Sequence, residues 1–157
     1  MEQAYLDVRR ARGTDASAFR HLAAATGLMT EEEAQGFAAD VDSGQDGEAL
    51  WACACLDGAV VGTAYVAREP FSDDVWNLLF LAVDPAMQGR GTGSSLVHWI
   101  EEELGGIATA LVVDTSGQDA FAATRSFYVK LGYREVGSIP DYYGAGDSKV
   151  TFWRTLL

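Results

Sequence analysis

The sequence predicts an α+β fold: a mixed, mostly antiparallel central sheet of about six to seven strands flanked by about four helices, in a single domain spanning residues 1–157. Two observations carry this. Runs 49–56 and 59–67 are apolar and β-prone and flank Asp57-Gly58, a strong two-residue hairpin signal. The apolar run Val75 to Val83 instead leads into a helical segment and then a short apolar run, the pattern of one parallel crossover in the middle of the sheet.

Taken in order, Tyr5 to Arg10 reads as the first strand, and Thr14 or Asp15 caps a helix that ends near Gly27. A second helix starts at Thr30, where Thr30 and Glu33 form a capping box. Glu31 and Glu32 lie in its first turn, where the helix dipole favours negative charge. Asp46-Gly47 reads as loop before the hairpin, and Pro70 with Asp73-Asp74 marks the turn into Val75–Val83. A helix from about Arg90 to Leu104 carries Leu96, Val97, Ile100 and Leu104 on one face and stops at Gly105-Gly106. Ala110 to Asp114 is a short buried strand. The next helix, about Asp119 to Leu131, has Ala123, Phe127 and Leu131 at helical spacing and Gly132 beyond its end. Strands around Tyr133–Ile139 and Lys149–Arg154 enclose a polar, aromatic loop.

With 48% hydrophobic residues the chain has the apolar content of a folded globule. A net charge of −12 argues against a nucleic-acid partner, because phosphate backbones demand a basic face. The opening residues lack an apolar targeting core, and no 18-residue apolar run occurs, so a cytoplasmic protein without membrane attachment is expected. Cys53 and Cys55, two apart in a strand, fit buried reduced thiols better than a disulfide or a metal pair. His21 and His98 have no ligand spacing, so no metal is expected.

The segment Gln88-Gly89-Arg90-Gly91-Thr92-Gly93-Ser94 carries most of the functional signal. Glycine-rich backbone at a helix N-terminus can aim several N–H groups at one anion, and Arg90 adds a cationic fork suited to phosphate. A dinucleotide-binding turn is the tempting reading. Position 94 is Ser where its third glycine belongs, and five residues, Asp84 to Gln88, separate the strand from the loop. A Walker A loop fails because no Gly-Lys-Ser/Thr occurs.

Gln88, Gly91 and Gly93, preceded by Leu81-Ala82-Val83-Asp84-Pro85, resemble the acetyl-CoA motif Q/R-x-x-G-x-G/A of the GNAT superfamily of N-acetyltransferases. Ala123-Thr124-Arg125-Ser126-Phe127-Tyr128 and Leu131-Gly132-Tyr133 resemble the family's later helix, and the element order is similar over nearly the whole chain. The resemblance implies a GNAT-like fold and acetyl transfer from acetyl-CoA to a primary amine, of a small molecule or a peptide N-terminus, by direct attack on the thioester.

It further implies roles. Gln88, Gly89, Arg90, Gly91, Thr92, Gly93 and Ser94 would cradle the pyrophosphate. Leu81, Ala82 and Val83 would lie along the pantetheine arm, with a backbone N–H near Val83 facing the thioester oxygen as an oxyanion hole does. Tyr128 matches the family's proton donor to the departing thiolate; the competing reading is a tyrosine packed in the core. Many relatives keep a strand glutamate as base, but Trp76-Asn77-Leu78-Leu79-Phe80 offers none. Asp114 is the first candidate, Asp141 the second, and water a third. The aromatic and acidic loop with Asp141, Tyr142 and Tyr143 suits a cationic acceptor through cation–π and ionic contact, or simply makes turns. A non-catalytic acyl-CoA-binding module with the same fold is the alternative function, and strand edges offer a possible homodimer.

Overall fold

The computed structural model describes residues 5–45 and 47–157. Of the expected Asp46-Gly47 loop, Asp46 lies outside the described residues, as does the start of the N-terminal segment. Seven strands form one sheet in the order β1-β2-β3-β4-β5-β7-β6: β1 Leu6–Arg10, β2 Ala49–Leu56, β3 Ala59–Arg68, β4 Val75–Val83, β5 Ala110–Ser116, β6 Arg134–Gly144 and β7 Asp147–Thr155. Four α-helices accompany them: α1 Ala16–Ala25, α2 Glu31–Ala38, α3 Thr92–Leu104 and α4 Ala122–Lys130. The pair β4–β5 is parallel, while β1–β2, β2–β3, β5–β7 and β6–β7 are antiparallel. The expected α+β class with its internal crossover is what the chain adopts.

The contacts divide the chain into two compact units, one of the described residues up to Ala67 with Phe80–Glu103, the other of Arg68–Leu79 with Leu104–Leu157. The first is built on the β2–β3 hairpin. Asp57 and Gly58 both take positive φ, 50° and 86°, as the tight turn demands. Its core joins Phe19, Leu22, Ala34, Trp51, Cys53, Phe80 and Ala82. Phe37 packs tilted against Phe80 at 4.7 Å, and Trp51 stacks on Tyr65 at 4.0 Å, centroid to centroid. Burial pushes the Cys53 thiol up to about 12, so it stays protonated and inert, as the buried-thiol reading expects.

At α2 the capping box forms: Thr30 Oγ1 accepts from the Glu33 N–H at 3.2 Å, and Glu33 Oε2 from the Thr30 N–H at 2.8 Å. The expected cap on α1 is different. Asp15 accepts from the Arg12 N–H and both Arg9 guanidinium nitrogens, at 2.8, 2.8 and 3.0 Å, so its carboxylate ties β1 to the helix entrance instead of capping α1. A 3₁₀ turn over Gly13–Asp15 precedes that helix. The Arg9 fork holds the Asp15 carboxyl below its ordinary range against the opposing cost of burial.

The second unit centres on β5, β7 and β6. Three differences from the sequence expectations arise there. β5 runs on to Ser116, so Asp114 sits inside the strand and not at its end. On α4 the buried residue is Tyr128, whereas Ala123 is exposed. The aromatic loop is instead part of a β6–β7 hairpin, with Asp141, Tyr142 and Tyr143 on β6. Breakers such as Pro140 and Gly144 are tolerated because β6 is the edge strand of the sheet, where a missing N–H costs nothing on the open side. The register shifts between Ile139 and Gly144 absorb Asp141, which has φ 55°.

Candidate active site

In the first unit, β4 delivers the chain to the glycine loop. Ala82 packs into the core while Leu81 and Val83 are half-buried, the alternation expected of a strand. Asp84 stops the strand: its Oδ1 accepts from the Ala86 N–H at 2.9 Å and its carbonyl from the Met87 N–H at 2.8 Å. Gln88 donates its side-chain amide to the Val83 carbonyl at 3.3 Å, bracing the strand end. Gly89 and Gly91 take positive φ, 77° and 83°, and a Cβ at either would point into open space. The loop therefore presents bare backbone.

Its hydrogen bonding is the decisive feature. Ser95 is the first residue of α3 whose N–H finds a carbonyl, that of Gly91 at 3.0 Å. The N–H groups of residues 89 to 94 have no acceptor among the described residues. Glycine at the cap position offers no side-chain oxygen to satisfy them. Arg90 is exposed and makes no ion pair among the described residues. Free donors, a helix dipole of 13 residues and a loose guanidinium fit a pyrophosphate, and the bare glycines let it approach. Thr92 is buried against β3, where Gly62 makes room: a Cβ there would lie 3.0 Å from both Thr92 Cγ2 and Leu96 Cδ1.

In the second unit, the register of β4 on β5 covers only Val75, Trp76 and Asn77, and Leu79 is exposed. Tyr128 is 4% exposed, ringed by Phe127, Tyr133 and Phe152 at 5.0, 5.9 and 6.1 Å. Its hydroxyl has no hydrogen-bond partner among the described residues, and burial pushes its pKa up. The phenol therefore keeps its proton throughout the neutral range.

Asp114 leaves the other face of the β5–β7 sheet. It stands opposite Thr151, whereas Val113 stands opposite Phe152, the ring that touches Tyr128. The structure thus puts these two expected proton carriers on opposite faces of one sheet. Asp114 Oδ1 accepts from Thr151 Oγ1 at 2.6 Å, and Oδ2 lies 3.5 Å from Asn77 Nδ2 and 3.8 Å from Lys149 Nζ. Lys149 Nζ also stands 4.2 Å over the Tyr142 ring, whose neighbour Tyr143 is 5.1 Å away edge-on. Burial, then the charges of Asp114, Tyr142 and Asp147, raise the Tyr143 pKa. Asp141 has a different task, accepting from the Gly146 N–H at 2.7 Å to hold the hairpin turn.

Sequence reasoning missed three members of this strip. Glu69, just past β3, accepts from Asn77 Nδ2 at 2.6 Å and so brings a carboxylate to β4, which carries none. Asn77 is buried, and its polarity within an apolar strand was the available signal. Lys149 is the third, and a lone cation beside Asp147 gave no warning. No group of three or more His, Cys, Asp or Glu among the described residues is arranged to hold a metal ion.

A family profile described as an acetyltransferase (GNAT) domain matches residues 46–135, more than half of the chain. The chain belongs to the GNAT family of acetyltransferases. Among curated relatives, an uncharacterized N-acetyltransferase of Methanocaldococcus jannaschii is 26% identical over 60% of the chain, and an uncharacterized protein of Mycobacterium leprae is 33% identical over 60%. The chain spans 59% and 26% of their respective lengths.

Solved structures agree over nearly the full fold. A Desulfovibrio desulfuricans protein assigned to the GNAT family superposes with a TM-score of 0.89 at 26% identity, covering 98% of this chain and 100% of that one. An aminoglycoside 6'-N-acetyltransferase complexed with coenzyme A gives 0.80 at 19%, covering 96% and 97%. The ribosomal-protein-S18-alanine N-acetyltransferase of Escherichia coli gives 0.80 at 20%, covering 97% and 94%. The last two identities speak for the fold alone. The seven-stranded mixed sheet with four helices is the GNAT fold.

Proposed function

We propose that this chain, as one N-acetyltransferase domain in the cytoplasm, moves an acetyl group from acetyl-CoA to a primary amine of a small molecule or a peptide N-terminus. The observation that carries this reading is the run of N–H groups from Gly89 to Ser94 that find no acceptor among the described residues, beside the exposed Arg90. Family membership and a neighbour that binds coenzyme A support it.

In this reading the loop residues Gln88 to Ser94 grip the pyrophosphate, and Leu81, Ala82 and Val83 line the arm. When bound, acetyl-CoA supplies an acyl carbon activated by a thiolate leaving group. Tyr128 holds a proton on its buried hydroxyl and donates it toward the departing sulfur. Asp114, on the sheet face opposite Tyr128, receives a proton from an acceptor that approaches from that other face, with Thr151 orienting its carboxylate. Tyr142 and Tyr143 offer aromatic faces to an alkylammonium. Asp141 acts at one remove, by holding the turn that sets their position.

A thiol-release screen over alkylamines, polyamines, aminoglycosides and peptides with free N-termini tests the proposal. Acetyl-CoA-dependent release with at least one class is the expected result. Tight acetyl-CoA binding with no release across the panel would instead favour a non-catalytic acyl-CoA-binding module.

A further inference from the structure

The second unit holds a cation of its own where an acceptor cation would be recognised. Lys149 Nζ stands 4.2 Å over the Tyr142 ring and 3.8 Å from Asp114 Oδ2. An ammonium on an aromatic face with a carboxylate behind it is how a protein recognises an alkylammonium ligand. We propose that Lys149 is a tethered occupant of the acceptor-amine subsite, and that the substrate is a flexible alkylamine whose terminal ammonium displaces it from Tyr142 and Asp114. This rests on the acetyl-transfer reading above and deepens it by naming the acceptor class.

The contacts are built to be exchanged. At 3.8 Å the ion pair lacks hydrogen-bond geometry, and both side chains keep about a fifth of their surface in water, 20% for Lys149 and 21% for Asp114. Tyr142 itself is 55% exposed, so its ring remains open to a second cation. Asp114 stays oriented without Lys149, because Thr151 holds its other oxygen at 2.6 Å. A lysine stem of four methylenes carrying an ammonium already fits between these groups, which favours a linear alkylamine over the branched α-amine of a peptide N-terminus.

Lysine occurs only at positions 130 and 149, so protein labelled with carbon-13 at lysine Cε gives one signal for each. Titration of the unmodified protein with pentyltrimethylammonium, which cannot be acetylated, is the test. The Lys149 signal is expected to shift saturably while that of Lys130 stays fixed. Lys149→Met is expected to bind the probe roughly 5- to 10-fold more tightly than the parent, a gain that adding Asp114→Asn removes. An unmoved Lys149 signal, or a Lys149→Met protein that folds and binds no more tightly, overturns the proposal. Should the variant not fold, the titration of the parent protein decides alone. These readouts need no turnover, so probe binding without acetylation of any amine would defeat the acetyl-transfer reading and leave the subsite standing. Acetylation of alkylamines with a static Lys149 would do the reverse.

Discussion

Tyr128 is buried by its ring and idle at its hydroxyl, and the two facts predict different outcomes for one substitution. Tyr128→Phe removes an oxygen that makes no hydrogen bond within the described residues, so thermal stability should change little. If the phenol protonates the leaving sulfur, turnover should fall by about 100-fold while the Kd for acetyl-CoA stays constant. Steady-state kinetics beside a melting curve separates the two effects. Burial raises this phenol, so any alkaline limb in kcat below about pH 10 must belong to another group. Asp15 behaves in the opposite way. Its folded pKa is lowered, chiefly by the Arg9 hydrogen bonds, so its stabilisation is full above the unfolded value and disappears as pH falls through the folded one. Asp15→Asn should therefore cost about 2–3 kcal/mol at pH 7 and progressively less below about pH 4, measured by urea unfolding across pH. At this scale the Thr30–Glu33 capping box was legible because both partners are local in sequence. The Glu69–Asn77 and Lys149–Asp114 contacts were not, since they depend on which strands become neighbours.

Among the elements, α3 is the one whose position sets the anion site. Its first turn packs closely on β3 at Gly62, where a Cβ would crowd Thr92 and Leu96 at 3.0 Å. Gly62→Val should displace Thr92, cost about 1–3 kcal/mol of stability and weaken acetyl-CoA binding. Titration calorimetry at a temperature where the variant is folded checks this, and unchanged affinity would show that the helix start tolerates the shift. Boundaries of the regular elements were largely readable. Val75–Val83 matches β4 residue for residue, and the Asp57-Gly58 turn closes its hairpin. The full β6–β7 hairpin is not legible in the sequence because Pro140, Asp141 and Gly144 are loop residues by propensity. An edge strand with register shifts accommodates all three, a tertiary effect that local composition does not express. On α4 the stripe expected from helical spacing, Ala123, Phe127 and Leu131, lies one position away from Tyr128, the residue the fold buries.

The whole chain is acidic, with a net charge of −12, yet its candidate cofactor site must hold a pyrophosphate. Local donors have to overcome that unfavourable field, which gives the one exposed arginine of the loop disproportionate weight. Fold and family were legible because a glycine loop at an α3 start and the segment around Tyr128 occur in a fixed order. The acceptor was not, because its recognition rests on β6 and β7 side chains that meet only after folding. The decisive measurement for phosphate binding by the α3 loop is titration calorimetry of acetyl-CoA into the parent protein and Arg90→Glu. The parent should bind saturably, and the charge reversal should raise Kd roughly 10- to 100-fold without lowering the melting temperature. Equal affinity in the two proteins would contradict the assignment.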